Sequence, residues 1–296
     1  MNLIQCENLG FMSPAKRPSS ILRNISLSIP VGSRLAVVGG NGAGKSTFIK
    51  LLLGLYPIGE GSVSILGKAV PSVESRAQLA YLADVPAPFG YLTGREYLSL
   101  YGELEGLKGK ALLEKVNHGL TNAGLIHVAD VSTDRYSKGM RQRLEIERVL
   151  LNKRQILILD EPMTGLDVES QMSLKDRLRK LSDEKVSMVI TSHEPSILES
   201  ICTHIALLKS GELVTFGPVG ELLTEKGWEI IFSESVPSDE KFPEGATISQ
   251  SRKSVLLKTL QDAESVLEKH AHNGQVLSFG TAIKGIEDLL GEVAEQ

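Results

Sequence analysis

The chain has 296 residues, 42% of them hydrophobic and 23% charged, with a formal net charge of −4. This is the mix of a globular protein with one large or two modest cores, and it excludes disorder throughout. Charge divides near residue 222: residues 222–296 hold 7 basic against 13 acidic side chains, net −6, whereas residues 1–221 carry net +2. Neither part has the basic surplus of a general nucleic-acid binder, so nucleic acid is not expected as a partner.

Apolar runs such as Ile156-Leu157-Ile158-Leu159 are stopped by charge within a few positions. They fall short of the ~18–20 residues that a membrane-crossing helix needs. Met1 to Glu7 shows no basic stretch leading into an apolar core, so no secretory signal is read and a cytosolic location is expected. Cys6 and Cys202 fit no metal-ligand spacing and are expected to be buried thiols.

In chain order, Leu3 to Leu9 and Ile21 to Ile29 read as strands, the second from the alternation Ile25-Ser26-Leu27-Ser28-Ile29. Pro30 to Ser33 is a turn. Arg34 to Val38 is a short apolar run of the buried parallel-strand type, followed by a glycine-rich loop and a helix over Ser46 to Leu53 that Gly54 ends. A strand is expected over Ser62 to Leu66 and another over Leu79 to Ala83. From about residue 84 to 150 the pattern is helical, with Thr93 as N-cap for Glu96 to Gly102, helical spacing over Lys110 to Leu120, and Ser137 opening a run through Leu151. Strands over Gln155 to Leu159, Ser187 to Thr191 and Ile205 to Lys209 then alternate with helices over Glu169 to Leu181 and Pro195 to Ser200, the signature of a parallel sheet. A hairpin at Gly211 to Val214 closes this part. Beyond Leu222, strands over Trp228 to Phe232, Ser254 to Leu257 and Val276 to Phe279, with helices over Asp262 to Ala271 and Ile283 to Val293, make a small α+β appendage.

Two stretches carry chemistry. Gly39-Gly40-Asn41-Gly42-Ala43-Gly44-Lys45-Ser46-Thr47 fits G-x-x-x-x-G-K-[ST] between a strand and a helix. Glycines let successive backbone amides face phosphate oxygens, the helix N-terminus adds partial positive charge, Lys45 reaches the β/γ phosphates, and Ser46 can hold Mg²⁺. The second stretch, Ile156 to Leu159 followed by Asp160-Glu161-Pro162, is a buried strand ending in two acids. That arrangement is costly unless cations or donors meet it. Asp160 would act on Mg²⁺ and Glu161 would polarise an attacking water as general base.

Tyr136-Ser137-Lys138-Gly139-Met140-Arg141-Gln142-Arg143 resembles the signature of ABC-type ATPases, in the form common in ATP-binding subunits of exporters. Thr164-Gly165-Leu166-Asp167 resembles the D-loop of that family and Thr191-Ser192-His193 its switch histidine, with every motif of residues 1–220 in family order. The resemblance implies an α/β P-loop NTPase of ABC type: a parallel-sheet core, an antiparallel β subdomain and a helical signature subdomain at about 84–150. Residues 1–221 would form this ATP-binding domain and residues 222–296 an accessory region.

The same resemblance implies ATP and Mg²⁺ as ligands, and hydrolysis that powers transport, export in particular, through separate integral-membrane permease subunits. It places the chain on the cytoplasmic face of the cell membrane. A head-to-tail homodimer is implied in the ATP-bound state, in which Ser137 and Gly139 close over the γ-phosphate bound to the partner's loop, Asp167 organises the opposing site, and His193 contacts the γ-phosphate.

The chain departs from the family at several points. Residue 40 is Gly where Pro is usual; Asp84 occupies the place of the Q-loop glutamine, from which it would reach Mg²⁺; Ser13 aligns with the adenine-stacking aromatic, with Phe11 two positions earlier. Glu145 and Glu147 stand where small residues are usual. Val85 to Thr93 lies in the region that docks on the membrane subunit in such proteins. An alternative is a non-transport ABC ATPase acting on ribosomes or DNA, but there is a single P-loop and no long coiled-coil insertion. A GTPase is excluded because Asn152-Lys153-Arg154-Gln155 lacks the aspartate of the guanine-reading pattern.

Overall fold

The computed structural model describes residues 2–13, 19–85, 88–151, 154–183, 186–192, 198, 201–222, 225–271 and 275–283. The chain divides into two compact units, Met1–Pro218 and Val219–Gln296.

The first unit is built on two sheets. Strands β1 (Asn2–Met12), β2 (Ser20–Pro30), β4 (Glu60–Ile65) and β5 (Lys68–Ala69) form an antiparallel sheet in the order β2-β1-β4-β5. On β2, Leu22, Ile25, Leu27 and Ile29 are buried while the residues between them face out, so the period-2 pattern sets which face meets the core. The second sheet comprises β3 (Arg34–Val38), β6 (Leu79–Leu82), β7 (Ile156–Leu159), β8 (Ser187–Thr191), β9 (His204–Lys209) and β10 (Glu212–Pro218). Its order is β10-β9-β3-β8-β7-β6, parallel throughout except for β10, which runs antiparallel to β9. Residues 156–159 and 187–191 are buried at every position, as continuous apolar runs in a parallel sheet require.

Between these sheets lies α1 (Lys45–Leu52), whose Phe48, Ile49, Leu51 and Leu52 join residues of both in one core. The helical part holds α3 (Gly94–Leu104), α4 (Gly109–Asn122) and α5 (Lys138–Leu150) around a separate core of Tyr97, Leu98, Val116, Leu120, Leu125 and Leu144. Thr93 caps α3 in a reciprocal box with Glu96, and Ser137 caps α5. Helix α6 (Val168–Asp183) precedes β8.

The second unit contains a short helix, α7 (Val219–Leu222), and a four-stranded antiparallel sheet of β11 (Glu225–Phe232), β12 (Thr247–Ile248), β13 (Ser254–Leu257) and β14 (Val276–Ile283), in the order β12-β13-β11-β14. Helix α8 (Leu260–Ala271) packs Ala263 and Val266 on Ile230, Phe232, Val255 and Leu257.

The differences from the sequence reading are few and local. The segment after Gly211 is a seven-residue strand rather than a brief hairpin arm, because it pairs along the whole of β9. The four-residue α2 (Val73–Arg76), held by a Ser72–Ser75 capping box, and the two-residue β12 are too short to show a period. Ile283, expected to open a helix, ends β14. The expected helices at 195–200 and 284–293 lie outside the described residues, apart from Leu198. Cys6 and Cys202 are buried free thiols, and burial pushes each up to about 12.

Candidate nucleotide site

The site forms where β3 and β7 reach their C-terminal ends, the edge at which open α/β sheets place ligands. β3 delivers the loop Gly39 to Gly44 directly into α1. Gly39, Gly42 and Gly44 all hold φ values that favour glycine, and two of them are also crowded. At Gly39, with φ +156°, a Cβ would stand 2.3 Å from the Leu208 carbonyl oxygen, and at Gly44, with φ +104°, 2.5 Å from Leu22 Cδ2. Gly40 meets no such limit: nothing lies within 4 Å of a Cβ built there, and its φ is not left-handed. The space around residue 40 would admit a side chain, so the glycine costs only stiffness.

Lys45 turns back over the loop. Its Nζ donates to the Gly39 carbonyl at 2.7 Å and the Gly40 carbonyl at 3.3 Å. Burial lowers its pKa, and the charges of Glu161 and Asp160 oppose that shift. Asn41, Gly42 and Ser46 are exposed, and Thr47 is half-buried. Together with Ile21, Asp84 and Glu161, residues 40–47 line a cleft of about 470 Å³.

The two acids after β7 are placed by one hydroxyl. Thr191 Oγ1, at the end of β8, donates to Asp160 Oδ1 at 2.6 Å and accepts from the Glu161 amide at 2.9 Å. Asp160 is 4% exposed, and burial pushes its carboxyl above the usual range, with repulsion from Asp84 adding to the shift. Glu161 adopts φ +49°. A left-handed conformation costs a non-glycine residue roughly 1–2 kcal/mol, and strain of this kind collects at functional sites. Asp84 lies two residues beyond β6, exposed on the cleft.

The signature segment packs on the chain just after these acids. Gly139 approaches Gly165 so closely that a Cβ would stand 3.0 Å from its carbonyl oxygen. Gln142 Nε2 donates to the Pro162 carbonyl at 3.0 Å. Ser137 and Lys138 are exposed, and the Ser137 hydroxyl accepts from its own helix, at Met140 N, 3.2 Å. Asp167 is exposed; its carboxylate accepts from the Ser170 amide at 2.8 Å, which holds its pKa low, and lies 3.8 Å from Arg143. Neither the Ser137 group nor Asp167 lines the cleft of its own loop. His193 lies outside the described residues. Phe11 is not an exposed stacking platform: it is buried and stacks on Tyr56 with centroids 5.0 Å apart.

Glu145 and Glu147 are buried acids that pair with half-buried arginines, Glu145 with Arg148 one turn along the same helix and Glu147 with Arg177 of α6. The Glu145 carboxylate accepts from the Tyr97 hydroxyl of α3 and from Arg148 Nε at 2.6 Å. Arg148 also donates to the Tyr81 carbonyl of β6 at 2.8 Å and stacks over the Tyr101 ring. Glu147 is forked by Arg177 of α6, one arm at 3.0 Å, yet burial still raises its carboxyl pKa.

Known proteins are similar to this chain. The ABC transporter family matches residues 22–164. The uncharacterized ABC transporter ATP-binding protein all4389 of Nostoc sp. is 35% identical over 205 residues, 68% of this chain and 61% of that protein. The uncharacterized ABC transporter ATP-binding protein YxlF of Bacillus subtilis is 32% identical over 206 residues, 70% of this chain and 68% of that one. This chain thus spans about three-fifths to two-thirds of the length of these relatives. A solved ATP-binding subunit of an ABC transporter has the same fold, with a TM-score of 0.68 at 26% identity over 74% of this chain and 91% of its own. With the loop, the strand-end acids and the signature helix in one cassette fold, the chain belongs to the family of ABC transporter ATP-binding proteins.

Proposed function

We propose that this chain binds and hydrolyses ATP as the energy-supplying subunit of a transporter, an exporter in particular, whose membrane-spanning part is a separate permease. The observation that carries the reading is the single cleft into which residues 40–47, Asp84 and Glu161 all project. Its amide-rich loop, helix N-terminus and buried ammonium suit an anionic polyphosphate.

The oxygen donors suit Mg²⁺, with Ser46 and Asp160 as ligands and Asp84 reaching it directly or through water. Among the described residues no group of three acidic, histidine or cysteine side chains could hold a metal alone. That fits an ion that takes one or two carboxylates, keeps water and shares the substrate's phosphates. Bound there, the ion would neutralise charge on the β and γ phosphates. Glu161 orients the attacking water and takes its proton, Lys45 holds its charge inside the cleft for the phosphates, and Thr191 fixes both acids. His193 is assigned to the γ-phosphate.

Ser137, Gly139 and Asp167 remain outside their own cleft, and Ser137 and Asp167 present polar groups to solvent. A second copy docked head to tail would bring them to the nucleotide of its partner, so a homodimer completes two sites. ATP then holds the interface through charge-assisted contacts, and hydrolysis releases it. No described helix is long and apolar enough to cross a membrane. The segment assigned to the permease is apolar at the surface: Phe89 and Tyr91 are 43% and 79% exposed and stack on one another. Docked there, the chain would lie on the cytoplasmic face of the membrane.

Lys45→Ala removes the only cation that lines the cleft among the described residues. ATP affinity, measured by calorimetry, is expected to fall by at least about a hundredfold, as loss of a buried charge-assisted contact implies. Unchanged affinity would overturn the phosphate assignment.

A further inference from the structure

Among the described residues, carboxylates outnumber cations in the lining of this cleft. Its lining includes one ammonium, Lys45, against the carboxylates of Asp84 and Glu161; Asp160, outside that lining, acts on Lys45 and is itself acted on by Lys50. Lys45 is engaged electrostatically by Glu161 and Asp160 and donates to two loop carbonyls. Asp84 is near enough to repel Asp160, and both act on the Tyr81 hydroxyl. Among the described residues no side chain forms an ion pair with Asp84.

An amide at this place could donate to a phosphate oxygen as well as accept a cation. An ionised carboxylate only accepts. It therefore offers nothing to a bare polyphosphate except repulsion, and offers a full charge to a hard divalent cation.

We propose that Asp84 makes this site selective for the cation-complexed nucleotide, excluding free ATP and ADP until a divalent ion enters between their phosphates and the Asp84 carboxylate. The inference rests on the phosphate-cleft reading above and adds to it the chemical species that the cleft admits. It also sets an order: nucleotide and cation enter together, and loss of the cation after hydrolysis expels the nucleotide.

The test is equilibrium binding of a non-hydrolysable ATP analogue to the full chain, in excess magnesium and in EDTA at equal ionic strength, for the native protein and for Asp84→Asn. The native protein is expected to bind at least about a hundredfold more tightly with magnesium. In Asp84→Asn that ratio should narrow by roughly tenfold, because the free nucleotide now binds more tightly. A gain of affinity in EDTA cannot come from misfolding. An unchanged ratio, or one narrowed only by weaker binding in magnesium, overturns the proposal. Failure of the native protein to bind in either condition, or equal binding by Lys45→Ala, would instead sink the phosphate-cleft reading beneath it.

Discussion

Asp160, the proposed Mg²⁺ ligand, is a residue that costs the fold stability. It is almost fully buried at the tip of β7, and burial raises its carboxyl pKa from the ordinary value of 3.8. The unfolded chain therefore gives up this proton first as pH rises. Over that range the native state holds more protons, and the contribution of Asp160 to stability falls as pH climbs through its native pKa. Asp160→Asn keeps an oxygen to accept from Thr191 and removes the charge. We expect the substitution to raise the ligand-free melting temperature at pH 8, with a gain that shrinks toward zero as pH falls into the carboxylate range. Differential scanning fluorimetry at the two ends would check it; a variant that is less stable at pH 8 would contradict the account.

Residues such as Asp160 and Glu161 are readable from sequence because a buried strand that ends in two acids needs a reason. Thr191 was visible only as part of a motif, and its double hydrogen bond to the acids depends on β7 and β8 being adjacent, which spacing alone does not establish. Phe11 illustrates the opposite limit, since an aromatic near a turn can face core or ligand, and only packing against Tyr56 decides.

At the scale of elements, strongly periodic segments declared themselves and very short ones did not. The capping box of α3 and the buried runs of β3, β7 and β8 follow from local chemistry, whereas α2 and β12 are held by a few contacts and have no period to read. The charged residues of α5 were legible as anomalies but not as a solution. Glu145 can be buried because Tyr97 and Arg148 come from other turns and another helix to meet it, and Arg148 ties the assembly to β6. This joins α3, α5 and the strand that leads to Asp84. Glu145→Ala leaves the half-buried Arg148 without its carboxylate partner, and breaking one side of a buried pair costs about 3–5 kcal/mol. Denaturant unfolding should show a loss of at least ~3 kcal/mol, with a smaller loss of about 1 kcal/mol for Tyr97→Phe. A loss below about 1 kcal/mol for Glu145→Ala would show the pair to be unimportant for stability.

On the scale of the whole molecule, the charge division found in composition meets a physical division of the chain into Met1–Pro218 and Val219–Gln296. Family motifs populate only the first unit. The second has its own small core around Ile230, Phe232, Val255 and Val266, and it carries the acidic surplus. In the first unit, the loop-side cleft and the exposed signature segment are separate surfaces, which the proposed head-to-tail dimer would join into one site.

The function proposed for the whole molecule is an ATP-dependent dimer whose release needs Glu161. Glu161→Gln keeps the shape of the side chain and removes the base, so ATP persists unhydrolysed and holds two copies together. In saturating ATP and Mg²⁺, gel filtration with light scattering should report a mass about twice the 32.1 kDa of one chain, reverting when the nucleotide is removed. A variant that remains monomeric while binding ATP would contradict the account.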